Sequence, residues 1–193
     1  MKKRSYSAGR IMNTRTLAYC ALLAALSVVL ARLVIPMPNA STRFSIEAVP
    51  IFLAGVLFGP LAGGMVGFSA DFVGCLFSPY GYNPIFSIPP ILYGVFAGVM
   101  CRLLMKKVSI PRLTISFLPP VVLGSILYQS CALAYMYYDG VFLQGVLFYL
   151  GTRSIQFAIT LVLDVAVVYL LFKAGIFNRL GIWPRQRKEK SWD

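Results

Sequence analysis

Long apolar stretches, separated by short breaks rich in proline, glycine or charge, occupy nearly the whole chain. These stretches predict helices over residues 16–34, 47–58, 60–77, 88–105, 113–138 and 151–172. One crossing of a bilayer takes roughly 20 apolar residues, so about six crossings nearly exhaust a chain of 193 residues. The pattern therefore predicts an all-α integral membrane protein, a bundle of six transmembrane helices.

The breaks between these stretches carry helix-ending residues. Pro36 and Pro38 follow the first predicted helix, and the pair Gly59–Pro60 separates the second from the third. The segment SPYGYNPIFSIPP, residues 78–90, predicts a loop before the fourth helix. The stretch VFLQGVLFYL, residues 141–150, fits either the outer turns of the sixth helix or a helix lying on the membrane surface.

Composition supports the membrane assignment. Hydrophobic residues make up 59% of the chain and charged residues 12%, with a mean hydropathy of +0.76. A soluble domain typically has about a quarter of its residues charged. The basic start and first apolar stretch also resemble a secretory signal with a weak cleavage site near Ala40, but the polytopic remainder favours an uncleaved first helix.

The positive charges follow the membrane topology. Fifteen of the 18 Lys and Arg residues lie in the N-terminal segment, after the fourth helix, or at the C-terminal end. They are Lys2, Lys3, Arg4, Arg10, Arg15, Arg102, Lys106, Lys107, Arg112, Lys173, Arg179, Arg185, Arg187, Lys188 and Lys190. Because cytoplasmic loops collect Lys and Arg, both termini are predicted to be cytoplasmic, with basic tails 1–15 and 178–193 flanking a membrane domain 16–177. Topology thus explains most of the net charge of +12 without a nucleic-acid partner.

The three remaining arginines, Arg32, Arg43 and Arg153, fall at the opposite, outer ends of predicted helices. Such arginines can extend to the interface or pair with an acid, as Arg43 could with Glu47 four residues on. Alternatively they form an anion site, because guanidinium groups bind carboxylates through two hydrogen bonds. Two or more of them would suit a ligand with more than one carboxylate.

A carboxylate and a group of aromatic residues are the other candidates near that side. Asp71, in GFSADFVG, is costly within a bilayer, so we expect it either to pair with an arginine or to bind the amino-imino edge of a heterocycle. The loop supplies Tyr80, Tyr82, Asn83 and Phe86, and Tyr93 follows one turn into the fourth helix. These aromatic rings fit an interfacial belt or a lid that stacks on a flat ligand.

Polar groups at depth and missing residue types narrow the function further. Gln129 and Gln156 could line a cavity, whereas Asp164 lies about 20 Å into the sixth helix and is expected to contact another helix or couple motions. The chain has no histidine, its four cysteines are dispersed, and it contains no P-loop. We therefore expect no metal site, no resident cofactor and no enzymatic activity.

Small residues recur at a spacing of four in three predicted helices. The pairs are Ala21/Ala25, Gly55/Gly59 and Gly63/Gly67. Such pairs let helices approach closely in lipid. The glycines suit packing within the bundle, and the alanines could instead face a second membrane protein.

Residues 43–97 resemble the substrate-binding S components of energy-coupling factor (ECF) vitamin transporters. The likeness lies in the Arg43 stretch leading to Pro50, in LAGVLFGPLAGGMVG, in Ala70–Asp71, and in YNPIFS followed by Tyr93–Gly94. Within that group the chain looks most like the folate-specific members. The Ala21/Ala25 pair is similar to the Ala-x-x-x-Ala signature with which S components dock on a shared membrane subunit.

The resemblance implies a multi-pass protein of a prokaryotic plasma membrane that captures folate outside the cell. A membrane scaffold subunit and two cytoplasmic ATPase subunits would complete the transporter. Arg43 and Arg153, with Arg32, would bind the glutamate carboxylates, and Asp71 with Gln129 the pterin edge. Tyr80, Tyr82, Phe86 and Phe44 would stack or close the site. The alternatives are an S component for another vitamin, such as riboflavin or thiamine, and a small membrane enzyme or assembly factor.

Overall fold

The computed structural model describes residues 14–32, 35–36, 43–44, 46–77, 82–106, 108–138 and 140–179. The α-helices are α1 (Thr14–Arg32), α2 (Ala48–Phe58), α3 (Pro60–Leu76), α4 (Ile88–Lys106), α5 (Ile110–Pro120), α6 (Gln129–Tyr137), α7 (Phe142–Lys173) and α8 (Ile176–Arg179). A 3-10 turn, Pro84–Ser87, precedes α4, and a π-helical segment, Val121–Tyr128, joins α5 to α6. The described chain is thus almost entirely helical, as the hydrophobic pattern predicted.

The predicted helices are found with shifted ends. The fifth is one continuous helix, Ile110–Tyr137, formed by α5, the π segment and α6. Pro119 and Pro120 lie just before the π segment. Because proline has no backbone N–H, two carbonyls one turn earlier lose their α-helical donors there, and a change of hydrogen-bond register follows.

The predicted start of the last helix at residue 151 is wrong. α7 begins at Phe142, so the stretch 141–150 continues into the long helix and does not lie on the surface as a separate one. No proline interrupts α7, and Gly151 alone does not end it, because an isolated glycine is tolerated within a helix.

Within the described ranges, four helices are long and apolar enough to cross a membrane. They are Thr14–Arg32, Pro84–Leu104, Ile110–Tyr137 and Phe142–Lys173. The apolar helices α2 and α3 are shorter and meet at Gly59, whose φ of 103° is open to glycine without strain. This architecture is that of a multi-pass helical membrane protein. The count of six crossings and the cytoplasmic position of both termini stay predictions, and most of the two predicted tails lies outside the described residues.

A short antiparallel pair of β-strands, which the predicted all-α architecture did not include, lies between α1 and α2. It consists of β1 (Ile35–Pro36) and β2 (Arg43–Phe44), with Ile35 opposite Phe44 and Pro36 opposite Arg43. Strand β2 lies against α7. The strand pair therefore brings the backbone of Arg43 to the helix that carries Arg153.

Helices α2, α3 and α4 pack at backbone distance. An added Cβ on Gly55 or Gly63 would overlap the carbonyl oxygen of Gly94 in α4. The packing role predicted for the glycines of the second and third helices is confirmed at Gly55, Gly63 and Gly67. An added Cβ on Gly67 would overlap Pro90, whereas a Cβ on Gly59 would meet no described atom within 4 Å. The pattern also extends to Gly94 and Gly98 in α4, a pair that the sequence analysis did not single out.

Candidate functional site

Asp71, near the C-terminal end of α3, is held by the turn that precedes α4. The Ser87 hydroxyl donates to Asp71 Oδ2 at 2.5 Å, and the Tyr82 hydroxyl lies 3.2 Å from Ser87 Oγ. The Cys75 thiol lies 4.0 Å from Asp71 Oδ1. The Phe72 ring meets the edge of Tyr82 at 5.2 Å between centroids. Asp71 is thus half-buried in a polar and aromatic cluster instead of facing lipid alone.

The turn itself is anchored at its start. Asn83 Oδ1 accepts from the backbone N–H of Ile85 at 3.1 Å, which caps the 3-10 turn. Asn83 Nδ2 lies 3.2 Å from the sulfur of Met136 near the end of α6. Phe86 is half-buried within the same turn. The turn therefore connects α3 and α6.

Arg32, the last residue of α1, joins this cluster from the exposed side. Its Nη2 donates to the carbonyl oxygen of Gly74 at 2.8 Å, three residues after Asp71. The partner is a backbone carbonyl near the end of α3. Cations stabilise this end of a helix, where carbonyl groups lack internal donors.

A second cluster surrounds Arg153 in α7. Its guanidinium carbon lies 5.8 Å from the Phe157 ring centroid, and Nη1 lies 3.5 Å from the carbonyl oxygen of Ser125. The Ser125 hydroxyl donates to the Tyr93 hydroxyl at 3.3 Å. Tyr93 is only 5% exposed, so it is packed in the bundle and does not stand at an open rim.

Below Arg153, polar side chains continue along one face of α7. Gln156, Thr160 and Asp164 are spaced by four residues, and all three are buried. Asp164 is 1% exposed, and its Oδ1 has no hydrogen-bond partner within the described part of the chain. This burial agrees with an Asp164 directed at other helices, and the coupling role stays a prediction.

The structure describes the remaining predicted residues to different extents. Tyr80 lies outside the described residues, and for Arg43 and Phe44 the description extends to the backbone of β2. Gln129 is half-buried at the start of α6. Glu47 accepts a hydrogen bond from Ser27 Oγ at its backbone oxygen, at 2.7 Å.

Two buried serines were missed by the sequence analysis. Ser87 contacts Asp71, and Ser125 contacts both Tyr93 and Arg153. A serine in an apolar stretch is common and carries little signal by itself. The clue to Ser87 is its position in the loop that follows α3. This position is informative only when α3 and α4 are known to pack antiparallel, because that packing places Ser87 opposite the end of α3.

An apolar groove of about 520 Å³ runs between α1 and α3. It is lined by both Ala21 and Ala25 on α1 and by Met65, Ser69 and Val73 on α3, among others. Both alanines are exposed. The structure thus places the small-residue pair of α1 on an open face, unlike the glycines of α2 and α3.

These features define a helical membrane protein with two polar clusters at the end of the bundle where α1, α3 and α6 finish and α4 begins. The family model for the "ECF-type riboflavin transporter, S component" matches residues 11–176, and the chain belongs to this family. Membership makes it a transporter component and not an enzyme.

Individual relatives agree with the family. The chain is 29% identical over 105 residues to the "Folate transporter FolT" of Clostridium novyi (strain NT), across 54% of this chain and 59% of the relative's length. A crystal structure of FolT bound with folic acid matches with a TM-score of 0.69 and 25% identity, covering 84% of this chain and 95% of the other. The S component for biotin from an ECF-type transporter shares the fold, with a TM-score of 0.58 and 19% identity over 88% and 96% of the two chains.

Proposed function

We propose that this protein is the folate-capturing S component of an ECF-type transporter, with energy supplied by separate ATPase subunits. The observation that carries the proposal is Arg153, a half-buried cation in an apolar helix. Within the described residues its guanidinium has one long hydrogen bond, 3.5 Å to the Ser125 oxygen, although the group has five N–H donors. A ligand carboxylate would satisfy the remaining donors, and folate has two carboxylates on its glutamate.

Arg43 is the proposed partner of Arg153 in this clamp, because β2 lies against α7. Arg32 would contribute at the exposed side. Asp71, with Gln129, would accept hydrogen bonds from the pterin edge, since a carboxylate pairs well with two parallel N–H donors. The FolT relative and the FolT structure with folic acid support the same substrate class.

The aromatic and amide residues complete the proposed site. Tyr82 and Phe86 on the turn, with Tyr80 and Phe44, would stack on or cover the ligand rings. Asn83, Gln156 and the buried Tyr93 would shape the site around them.

The setting follows from the positive-inside pattern and from family membership. We propose six membrane crossings, cytoplasmic termini and a place in a prokaryotic plasma membrane. The partners would be a membrane scaffold subunit, docking on the face with Ala21 and Ala25, and two cytoplasmic ATPase subunits.

Riboflavin is the second candidate ligand, because the matching family model carries that name. Riboflavin has no carboxylate, so it would leave the proposed arginine clamp without a partner. Titration calorimetry of the purified protein with folate, riboflavin and thiamine decides between them. We expect folate to bind; binding of riboflavin but not folate would overturn the substrate and leave the transporter class intact.

Variants then test the assignment of residues. Arg153→Gln should weaken folate binding roughly tenfold to a hundredfold, because a charge-assisted hydrogen bond is lost, and should leave binding of a pterin lacking glutamate unchanged. Asp71→Asn should weaken binding of both folate and the pterin lacking glutamate. The control is Arg102→Gln, an exposed cation of α4 outside both clusters. Equal losses for both ligands in Arg153→Gln would contradict the clamp.

A further inference from the structure

Helices α3 and α4 run antiparallel with one close contact per turn. We call this series the α3–α4 ladder. Its contacts pair Gly98 with Pro60, Gly94 with Gly63, Pro90 with Gly67 and Ser87 with Asp71. In the first three, an added Cβ on the glycine would overlap backbone atoms of its partner. The fourth contact is the hydrogen bond between the Ser87 hydroxyl and the Asp71 carboxylate.

The close approach of the glycines explains why so short a side chain as serine reaches Asp71. Gly67 and Asp71 are one turn apart on α3, and Ser87, the last residue of the 3-10 turn, lies about one turn before Pro90 of α4. The helix separation set by Gly67 and Pro90 therefore also sets the distance from Ser87 to Asp71. A larger separation would leave the hydroxyl short of the carboxylate.

The hydrogen bonds of this contact have a fixed direction. A serine hydroxyl has one proton, and Ser87 gives it to Asp71 Oδ2. The contact with Tyr82, at 3.2 Å, then requires the tyrosine to donate to Ser87 Oγ. Ser87 is 2% exposed, so water has little access to replace either bond. The order is Tyr82 to Ser87 to Asp71.

We propose that Ser87 is a positioning residue that orients the Asp71 carboxylate for N–H donors of the ligand and ties that recognition to the turn 82–87. This rests on the proposed function. With Oδ2 held by Ser87, the carboxylate does not rotate freely, and Oδ1, whose described neighbour is the weak donor Cys75, accepts from the ligand. Tyr82, 38% exposed, brings the turn over the same carboxylate through Ser87.

The test compares Ser87→Ala with Ser116→Ala, a serine that is also buried and whose hydroxyl, among the described residues, donates to the Arg112 carbonyl of its own helix at 2.9 Å. Affinities for folate, for a pterin lacking glutamate and for p-aminobenzoylglutamate are measured on the purified full chain. We expect Ser87→Ala to weaken binding of the two pterin ligands by about tenfold, because the Asp71 carboxylate is no longer held in one orientation before the ligand arrives. The glutamate fragment and the Ser116→Ala protein should be unaffected.

A double-variant cycle with Asp71→Asn separates positioning from general damage. Once Asp71→Asn is present, adding Ser87→Ala should change pterin binding less than twofold. Tyr82→Phe, which keeps the exposed ring, is the second variant should Ser87→Ala not fold. Its smaller loss of pterin affinity should also disappear when Asp71→Asn is present.

Additive losses of affinity in the double variant, or equal losses for all three ligands, overturn the inference. Wild-type protein that binds no folate contradicts the proposed function as well, whereas folate binding unchanged in both hydroxyl variants sinks the inference alone.

Discussion

The α3–α4 ladder and the α1–α3 groove both arise from small residues four apart, yet they differ in packing. In the ladder, Gly63 and Gly94 bring two backbones into contact. In the groove, Ala21 and Ala25 are exposed and border an apolar space of about 520 Å³. The same sequence spacing therefore leads to a closed contact in one place and an open face in the other.

The difference lies in the partner helix as well as in the Cβ. Glycine allows backbone contact where the facing residue brings its own backbone close, as Gly94 does to Gly63 and Pro90 does to Gly67. Across the groove, α3 presents the larger side chains of Met65 and Val73 to the alanines of α1. A closed contact stabilises the bundle, whereas an open apolar face is free for another partner.

The largest expected effect is on stability in the ladder. Gly94→Ala places a methyl group against the backbone of Gly63, and we expect a loss of about 3 kcal/mol, because overpacked backbone contacts cannot relax by rotating a side chain. The measurement is thermal unfolding of the purified protein in detergent. Gly151→Ala is the control, since its Cβ would meet no atom of the described part of the chain within 4 Å. Equal melting temperatures for the two variants would mean that α3 and α4 are not in backbone contact.

A second pair of variants enlarges one alanine in the closed contact between α2 and α4 and one alanine in the groove. Ala97, fully buried in α4, faces Gly55, whereas Ala24 lines the groove. Ala97→Val should cost about 2 kcal/mol through overpacking, and Ala24→Val less than about 1 kcal/mol, because the groove has room for the added carbons. The same unfolding assay compares them. A larger loss for Ala24→Val would show that the groove closes in solution.

The structural features that could be predicted from the sequence are those that depend on residues close together along the chain. Helix positions follow from apolar stretches and from breaks such as Gly59–Pro60, which separate α2 from α3 as expected. The start of α7 was misplaced because residues 141–150 are apolar and compatible with two helical arrangements. The π segment depends on lost hydrogen bonds at Pro119 and Pro120, a consequence that hydropathy does not show.

The candidate site shows the same limit. Asp71, Arg153 and Tyr82 stand out as charged or aromatic residues in an apolar chain. Ser87 does not, because its importance depends on which residue of α3 it faces. That pairing is a property of the helix register, which the glycines of both helices set together.

The smallest stability effect, and the sharpest functional one, is expected in the groove. The double variant Ala21→Leu/Ala25→Leu adds bulk to an exposed face. The melting temperature of the isolated protein should therefore stay close to that of wild type, and its folate affinity within twofold. Uptake of folate by cells that contain the complete transporter should fall about tenfold, because two leucine side chains on the docking face would clash with the partner, and a clash of about 1.4 kcal/mol already lowers association tenfold. The control is Ala158→Leu, an exposed alanine of α7 away from the groove. If uptake persists in the double variant, the scaffold docks on another face, and the open side of α1 needs a different explanation.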